Sequence, residues 1–167
     1  MCGNNNQALA TAIKKTWDSW ETRRPQRERE LSRVGFRLLL GGQPVSLSLL
    51  ADSPGRPPGE VKTELVRMAG EGRCTLSETD DLTGIMGLSV VPAPHQLSLG
   101  GKRFFTWCAL DAAAIPAALN TDATVRSFLA DERREITLHF RDGKWIPENI
   151  WIQLTEPEEG TRLCSGT

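Results

Sequence analysis

The chain has 167 residues, enough to bury a core as one domain or as two small ones packed together. Its 39% hydrophobic content is globular, and its 25% charged residues, balanced to a net charge of −1, argue against disorder and leave no overall attraction to nucleic acid or an anionic membrane. No apolar run approaches the ~20 residues that span a bilayer, and residues 1–6 carry no apolar signal-peptide segment, so a soluble, cytoplasmic protein is expected.

Residues 1–26 are polar apart from a stretch at 8–13 and the tryptophans Trp17 and Trp20, a pattern that predicts a short helix over 7–21. Between Arg23 and Glu30 acids interleave with bases, which marks a solvated linker entering a helix at Pro25 and not a nucleic-acid tail. Leu31, Val34, Phe36, Leu38, Leu39 and Leu40 predict an amphipathic helix over 27–40, stopped by Gly41-Gly42. Ser46 caps a short helix over 47–51, and Pro58 opens a third that carries Val61, Leu65 and Met68. Beyond Gly70 and Gly72, strands are predicted over 73–76 and 85–91. Three helices followed by a β-ribbon make a winged-helix pattern. The third helix, however, presents Glu60, Lys62, Glu64 and Arg67, a poor phosphate-binding set, so the module reads as a packing unit.

Past Pro92-Ala93-Pro94, alternation over 95–99 and the pair Gly100-Gly101 predict a tight hairpin into 102–107. His95 lies beside it and, as a lone histidine, is expected at the surface or in a hydrogen bond. Residues 108–119 are helical by composition, with Pro116 expected to end or kink the helix near 112–115. Strands are predicted over 125–128, 135–140 and 149–154, with Asp142-Gly143 as a turn and His139 facing solvent. The expected fold class is α+β: an N-terminal winged-helix-like three-helix module packed on a mixed or antiparallel β-sheet catalytic core with a short kinked helix. The expected divisions are a polar segment 1–26, the helical module 27–92 and an α/β core 93–167.

The four cysteines, Cys2, Cys74, Cys108 and Cys164, are too few and too scattered for a disulfide scaffold, and none sits in a closed zinc-site spacing. Cys2 and Cys74 lack any surrounding motif and read as structural or incidental. Cys108 is different, because Asp111 follows it by three residues where a strand gives way to a helix, and positions i and i+3 share one helical face. A helix start favours the thiolate through its unpaired N–H groups and dipole, whereas an ionised Asp111 opposes it. The compromise is one shared proton, which suits a reaction that needs a soft nucleophile and then an acid. Spacing alone leaves a second reading open, a cysteine packed as filler in an apolar helix.

The string Gly101-Lys102-Arg103-Phe104-Phe105-Thr106-Trp107-Cys108-Ala109-Leu110-Asp111, with Pro116-Ala117 after it, resembles the core motif of the organomercurial (alkylmercury) lyases. Gly41-Gly42-Gln43-Pro44-Val45-Ser46 and the helix after Pro58 resemble that family's helical module, and residues 85–94 its strand leading to Pro-x-Pro-His. The resemblance spans roughly residues 27–126 and is densest at Trp107–Asp111. It implies protonolytic cleavage of a carbon–mercury bond, giving a hydrocarbon and Hg(II), with no organic cofactor and Hg(II) as the bound product. Carried over, Cys108 captures the organomercurial, Asp111 protonates the departing carbon, and Cys164 supplies a second thiolate, so that Cys108, Cys164 and Asp111 surround the metal. The implied partners are the organomercurial substrate and a mercuric reductase or small thiol that accepts Hg(II). The core is expected to be shortened at its C-terminal end relative to the family. Two other readings fit the same residues: a non-catalytic, thiol-based binder of mercury or another soft metal, and a winged-helix thiol sensor.

Overall fold

Three helices lie on one end of an eight-stranded sheet in the computed structural model, which describes residues 24–52, 55–129 and 134–147. The helix expected over 7–21, the strand expected over 149–154, and Cys2 and Cys164 lie outside these residues. Helix α1 (Gln26–Leu39) buries Leu31, Gly35 and Leu39, which recur every fourth residue and so form one stripe. Gly35 brings the helix close to the sheet, since a Cβ there would stand 2.7 Å from Leu82 Cδ2. The chain leaves α1 through Gly42, at φ +85, whose N–H bonds to the Leu39 carbonyl at 2.8 Å. Helix α2 (Leu47–Asp52) starts at Ser46, and helix α3 (Pro58–Gly70) carries its proline in the first turn and buries Val61, Leu65 and Met68.

A buried ion pair ties the helices to the sheet. Glu28 of α1 is fully buried and accepts from Arg67 Nη2 of α3 at 2.7 Å and from Arg73 Nη1, just ahead of β1, at 2.6 Å. Burial pushes the Glu28 carboxyl up, but the donors and charges of Arg67 and Arg73 outweigh it and hold the group below its ordinary pKa. Arg67 also reaches Glu64 and Glu71, each at 2.7 Å.

The strands are β1 (Cys74–Leu76), β2 (Leu82–Ile85), β3 (Leu88–Ser89), β4 (His95–Leu99), β5 (Lys102–Thr106), β6 (Ala123–Leu129), β7 (Arg134–Arg141) and β8 (Lys144–Ile146). They pair in the order β1-β2-β3-β5-β4-β6-β7-β8, every pair antiparallel. The β1–β2 ribbon continues through β3 into β5, so it forms the edge of the main sheet and not a separate wing. The division expected at residue 92 falls between β3 and β4 of this sheet. Helix α4 (Ala109–Leu119) packs on the centre, over β4, β5 and β6, and buries Ala112, Ile115 and Pro116.

Three local expectations are corrected. The single strand predicted over 85–91 is a hairpin, broken at Met86-Gly87 with φ +53 and +79 between the paired residues Ile85 and Leu88. That is a two-residue turn with both residues left-handed, and Met86 lacks the Asn or Asp that normally announces one. Of the two outcomes expected at Pro116, an end and a kink, the end does not occur: the helix runs to Leu119 and closes at Asn120, φ +46, with the Thr121 N–H donating to the Pro116 carbonyl at 3.1 Å. Burial of Ala112, Ile115 and Pro116 against the sheet offsets the bond that proline cannot make. His139 does not point freely to solvent: it is half-buried on β7, with Nδ1 3.1 Å from Thr124 Oγ1 of the neighbouring strand. Strand β8, three residues long, was too short to carry a pattern. Among the described residues no helix is long and apolar enough to cross a membrane.

Candidate active site

Strand β5 delivers the chain to the site. Phe104 and Thr106 face the buried side, and the Thr106 hydroxyl donates to the Cys108 carbonyl at 3.3 Å. The next residue is fastened from the neighbouring hairpin, for the Trp107 N–H donates to the Gly87 carbonyl at 3.1 Å. Cys108 is then the N-cap of α4, in an extended conformation (φ −142, ψ 166), one position outside the helix predicted to begin with it. Its carbonyl accepts the first helical bond from the Ala112 N–H at 3.1 Å.

Cysteine rarely caps a helix, yet here its sulfur takes the role of a capping oxygen. Sγ accepts from the Asp111 backbone N–H at 3.4 Å, and the thiol donates to Asp111 Oδ2 at 3.0 Å. The bond from the third helical N–H to the cap side chain is one half of a capping box, and the side chain of that third residue reaches back to the cap sulfur. The arrangement explains why a spacing of three brings the groups together even though Cys108 is not itself helical. Both residues are half-buried. The helix N-terminus favours negative charge on either group, and the hydrogen bond makes proton release a property of the pair. A soft cation that displaces the proton from sulfur would send that proton to a carboxylate only 3.0 Å away.

Of the other expected site residues, Cys164 lies outside the described residues. Cys74 is buried, donates to the Leu65 carbonyl at 3.5 Å, and burial pushes its thiol up to about 12, so it stays a neutral packing group. His95 is hydrogen-bonded, with Nδ1 2.8 Å from Ser127 Oγ, and burial lowers its pKa. Among the described residues no group of three or more His, Cys, Asp and Glu side chains is arranged to hold a metal ion.

Sequence reasoning missed Gly84 and Gly87. A Cβ at Gly84 would lie 3.0 Å from Cζ2 of the Trp107 indole, and one at Gly87 would fall onto the Asp111 carboxylate. The signal was present as two glycines inside an apolar strand-like run, which marks a close approach of backbone to another group.

A thiol and a carboxylic acid at the start of a helix, on an antiparallel α+β scaffold, define a cysteine–carboxylate site suited to soft electrophiles. The profile of the alkylmercury lyase family (MerB) matches residues 88–166, which hold Cys108, Asp111 and Cys164. Alkylmercury lyases of Bacillus cereus and Streptomyces lividans are 31% and 35% identical over 97 residues, covering 58% of this chain and 43% of theirs. That of Staphylococcus epidermidis is 27% identical over 132 residues, 77% of this chain and 59% of its own. The chain thus spans about half the length of the curated relatives it matches. The crystal structure of the mercury-bound form of MerB2 matches with a TM-score of 0.75 and 27% identity over 81% of this chain and 66% of that one. The chain is similar to the alkylmercury lyases over these residues, and the α+β fold expected from its sequence is the fold it shares with MerB2.

Proposed function

We propose that the chain is an alkylmercury lyase that cleaves carbon–mercury bonds by protonolysis, releasing a hydrocarbon and leaving Hg(II) on thiolate. The observation that carries this reading is the 3.0 Å contact between Cys108 Sγ and Asp111 Oδ2. Mercury prefers thiolate to carboxylate or imidazole, so the sulfur is the point of capture. As the Cys108–mercury bond forms, the group opposite carbon leaves mercury and the thiol proton crosses to Asp111. A second thiolate, assigned to Cys164, adds to mercury and raises electron density at the carbon. Asp111 then returns its proton to that carbon, the carbon–mercury pair of electrons becomes the new C–H bond, and Hg(II) stays on sulfur. One proton therefore travels from sulfur to carboxylate to carbon, with no organic cofactor. Transfer of Hg(II) to a small thiol or a mercuric reductase would complete turnover in a cytoplasmic detoxification role.

The helical module of residues 27–92 serves this reading as a packing unit. Arg67 of the third helix is occupied by Glu28, Glu64 and Glu71, which counts against a DNA-reading winged helix. The test is incubation of the purified chain with a phenylmercury salt and excess small thiol. Release of benzene is expected; mercury bound stoichiometrically without benzene would overturn the lyase reading in favour of a thiol-based mercury binder.

A further inference from the structure

The β2–β3 turn touches the site at two points. Its residues Met86 and Gly87 have φ +53 and +79, and the chain has a close geometric twin in the β7–β8 turn, Asp142-Gly143, with φ +49 and +76. Both second positions demand glycine on backbone grounds. Their surroundings differ. Among the described residues, a Cβ at Gly143 would have only Asn120 Oδ1 within 4 Å, at 3.9 Å. A Cβ at Gly87 would stand 2.5 Å from Asp111 Oδ2 and closer still to Cγ and Oδ1, nearer than real Cβ contacts come. The Gly87 carbonyl meanwhile accepts the Trp107 N–H at 3.1 Å, on the residue before Cys108. One glycine thus holds the backbone leading into the thiol and leaves the space occupied by the acid.

We propose that Gly87 is a positioning residue of the candidate site: its missing side chain lets the Asp111 carboxylate lie against the β2–β3 turn, and that packing holds the carboxylate on the Cys108 sulfur. With a methyl group at 87 the carboxylate has to rotate away, because a short side chain yields more readily than a hydrogen-bonded hairpin. The proposal deepens the lyase reading, since it matters to catalysis only if Asp111 is the acid. The packing itself can be tested without any organomercurial.

The experiment compares Gly87→Ala with Gly143→Ala, which bears the same left-handed strain in the matched turn, and with Asp111→Ala alone and combined with Gly87→Ala. The first readout is the rate of Cys108 alkylation by iodoacetamide, followed by mass spectrometry of the Cys108 peptide. Gly87→Ala and Asp111→Ala should each change that rate at least about threefold, the size expected for losing one hydrogen bond. The double variant should match Asp111→Ala, and Gly143→Ala should match the parent. If Gly87→Ala fails to fold, adding Asp111→Ala should restore a thermal transition like that of Gly143→Ala, because the clash is then gone. A folded Gly87→Ala protein that alkylates like the parent, or a misfolded one that Asp111→Ala does not rescue, would overturn the proposal. In benzene release, Gly87→Ala should lower kcat at least about tenfold with KM nearly unchanged. A parent chain that releases no benzene would sink the lyase reading alone, leaving the alkylation comparison to decide the role of Gly87.

Discussion

Cys74 opens β1 behind α3, donates its thiol to the Leu65 carbonyl, and is pushed by burial up to about 12. Cys108 leaves β5 at the N-terminus of α4, half-buried, with a backbone N–H and a carboxylate both on its sulfur. The two residues are chemically identical, and each sits at the end of a strand of one sheet or just beyond it. What separates them is whether the neighbours stabilise charge on sulfur or exclude it. Cys74 has an apolar core and one weak acceptor, so the neutral thiol is the only economical state. Cys108 has donors, a helix dipole and a proton acceptor, so its proton can leave along a defined path.

The largest expected effect separates the two directly. Cys108→Ala should abolish mercury capture and lower benzene release by at least about a thousandfold, as removal of an enzyme's nucleophile does. Cys74→Ala should retain full turnover and lose only about 1 kcal/mol of stability by denaturant titration. Equal loss of activity in both variants would break the comparison. Asp111→Ala comes next: mercury should still bind, measured as metal retained after gel filtration, while turnover drops by about 10²–10⁴ for want of the acid.

Stability effects follow. Glu28→Gln removes the buried carboxylate from Arg67 and Arg73, which are partly exposed and keep Glu64 and Glu71 as partners, and should cost about 1–2 kcal/mol by urea denaturation. Because the Glu28 carboxyl is held below its ordinary 4.5, its contribution is complete above that value and is lost as pH falls through the folded one. The parent should therefore lose stability in acid with a steeper slope than Glu28→Gln. The smallest effect concerns Cys74, whose folded pKa is raised. The unfolded thiol ionises first, so stability is unaffected below 9.0 and declines from there toward about 12. At pH 10 the deficit is about 1 kcal/mol and should be absent from Cys74→Ala.

Much of this architecture was legible from short-range patterns. Helices α1, α2 and α3, the β4–β5 hairpin and the β7–β8 turn all lie where caps, periodicity and paired glycines place them. The two points that the local pattern misreads share a cause. Met86-Gly87 carries no polar turn residue, and Pro116 survives within α4 because its surroundings bury it; neither fact is written within a few residues of the position concerned. His139 shows the same limit, since alternation placed it on a face but not beside the Thr124 hydroxyl of the next strand.

By itself the sequence determined the α+β class, the helices and most of the strands, and the meeting of Cys108 with Asp111, because each depends on hydrogen-bonding periods of two to four residues. Only the tertiary structure decided what surrounds that pair. Gly87 reaches Asp111 through the pairing of β3 with β5, and Glu28 meets Arg67 and Arg73 across 39 and 45 residues. Such encounters follow from strand register and helix docking, which are settled by burial of the whole core and leave no local trace around the residues they join.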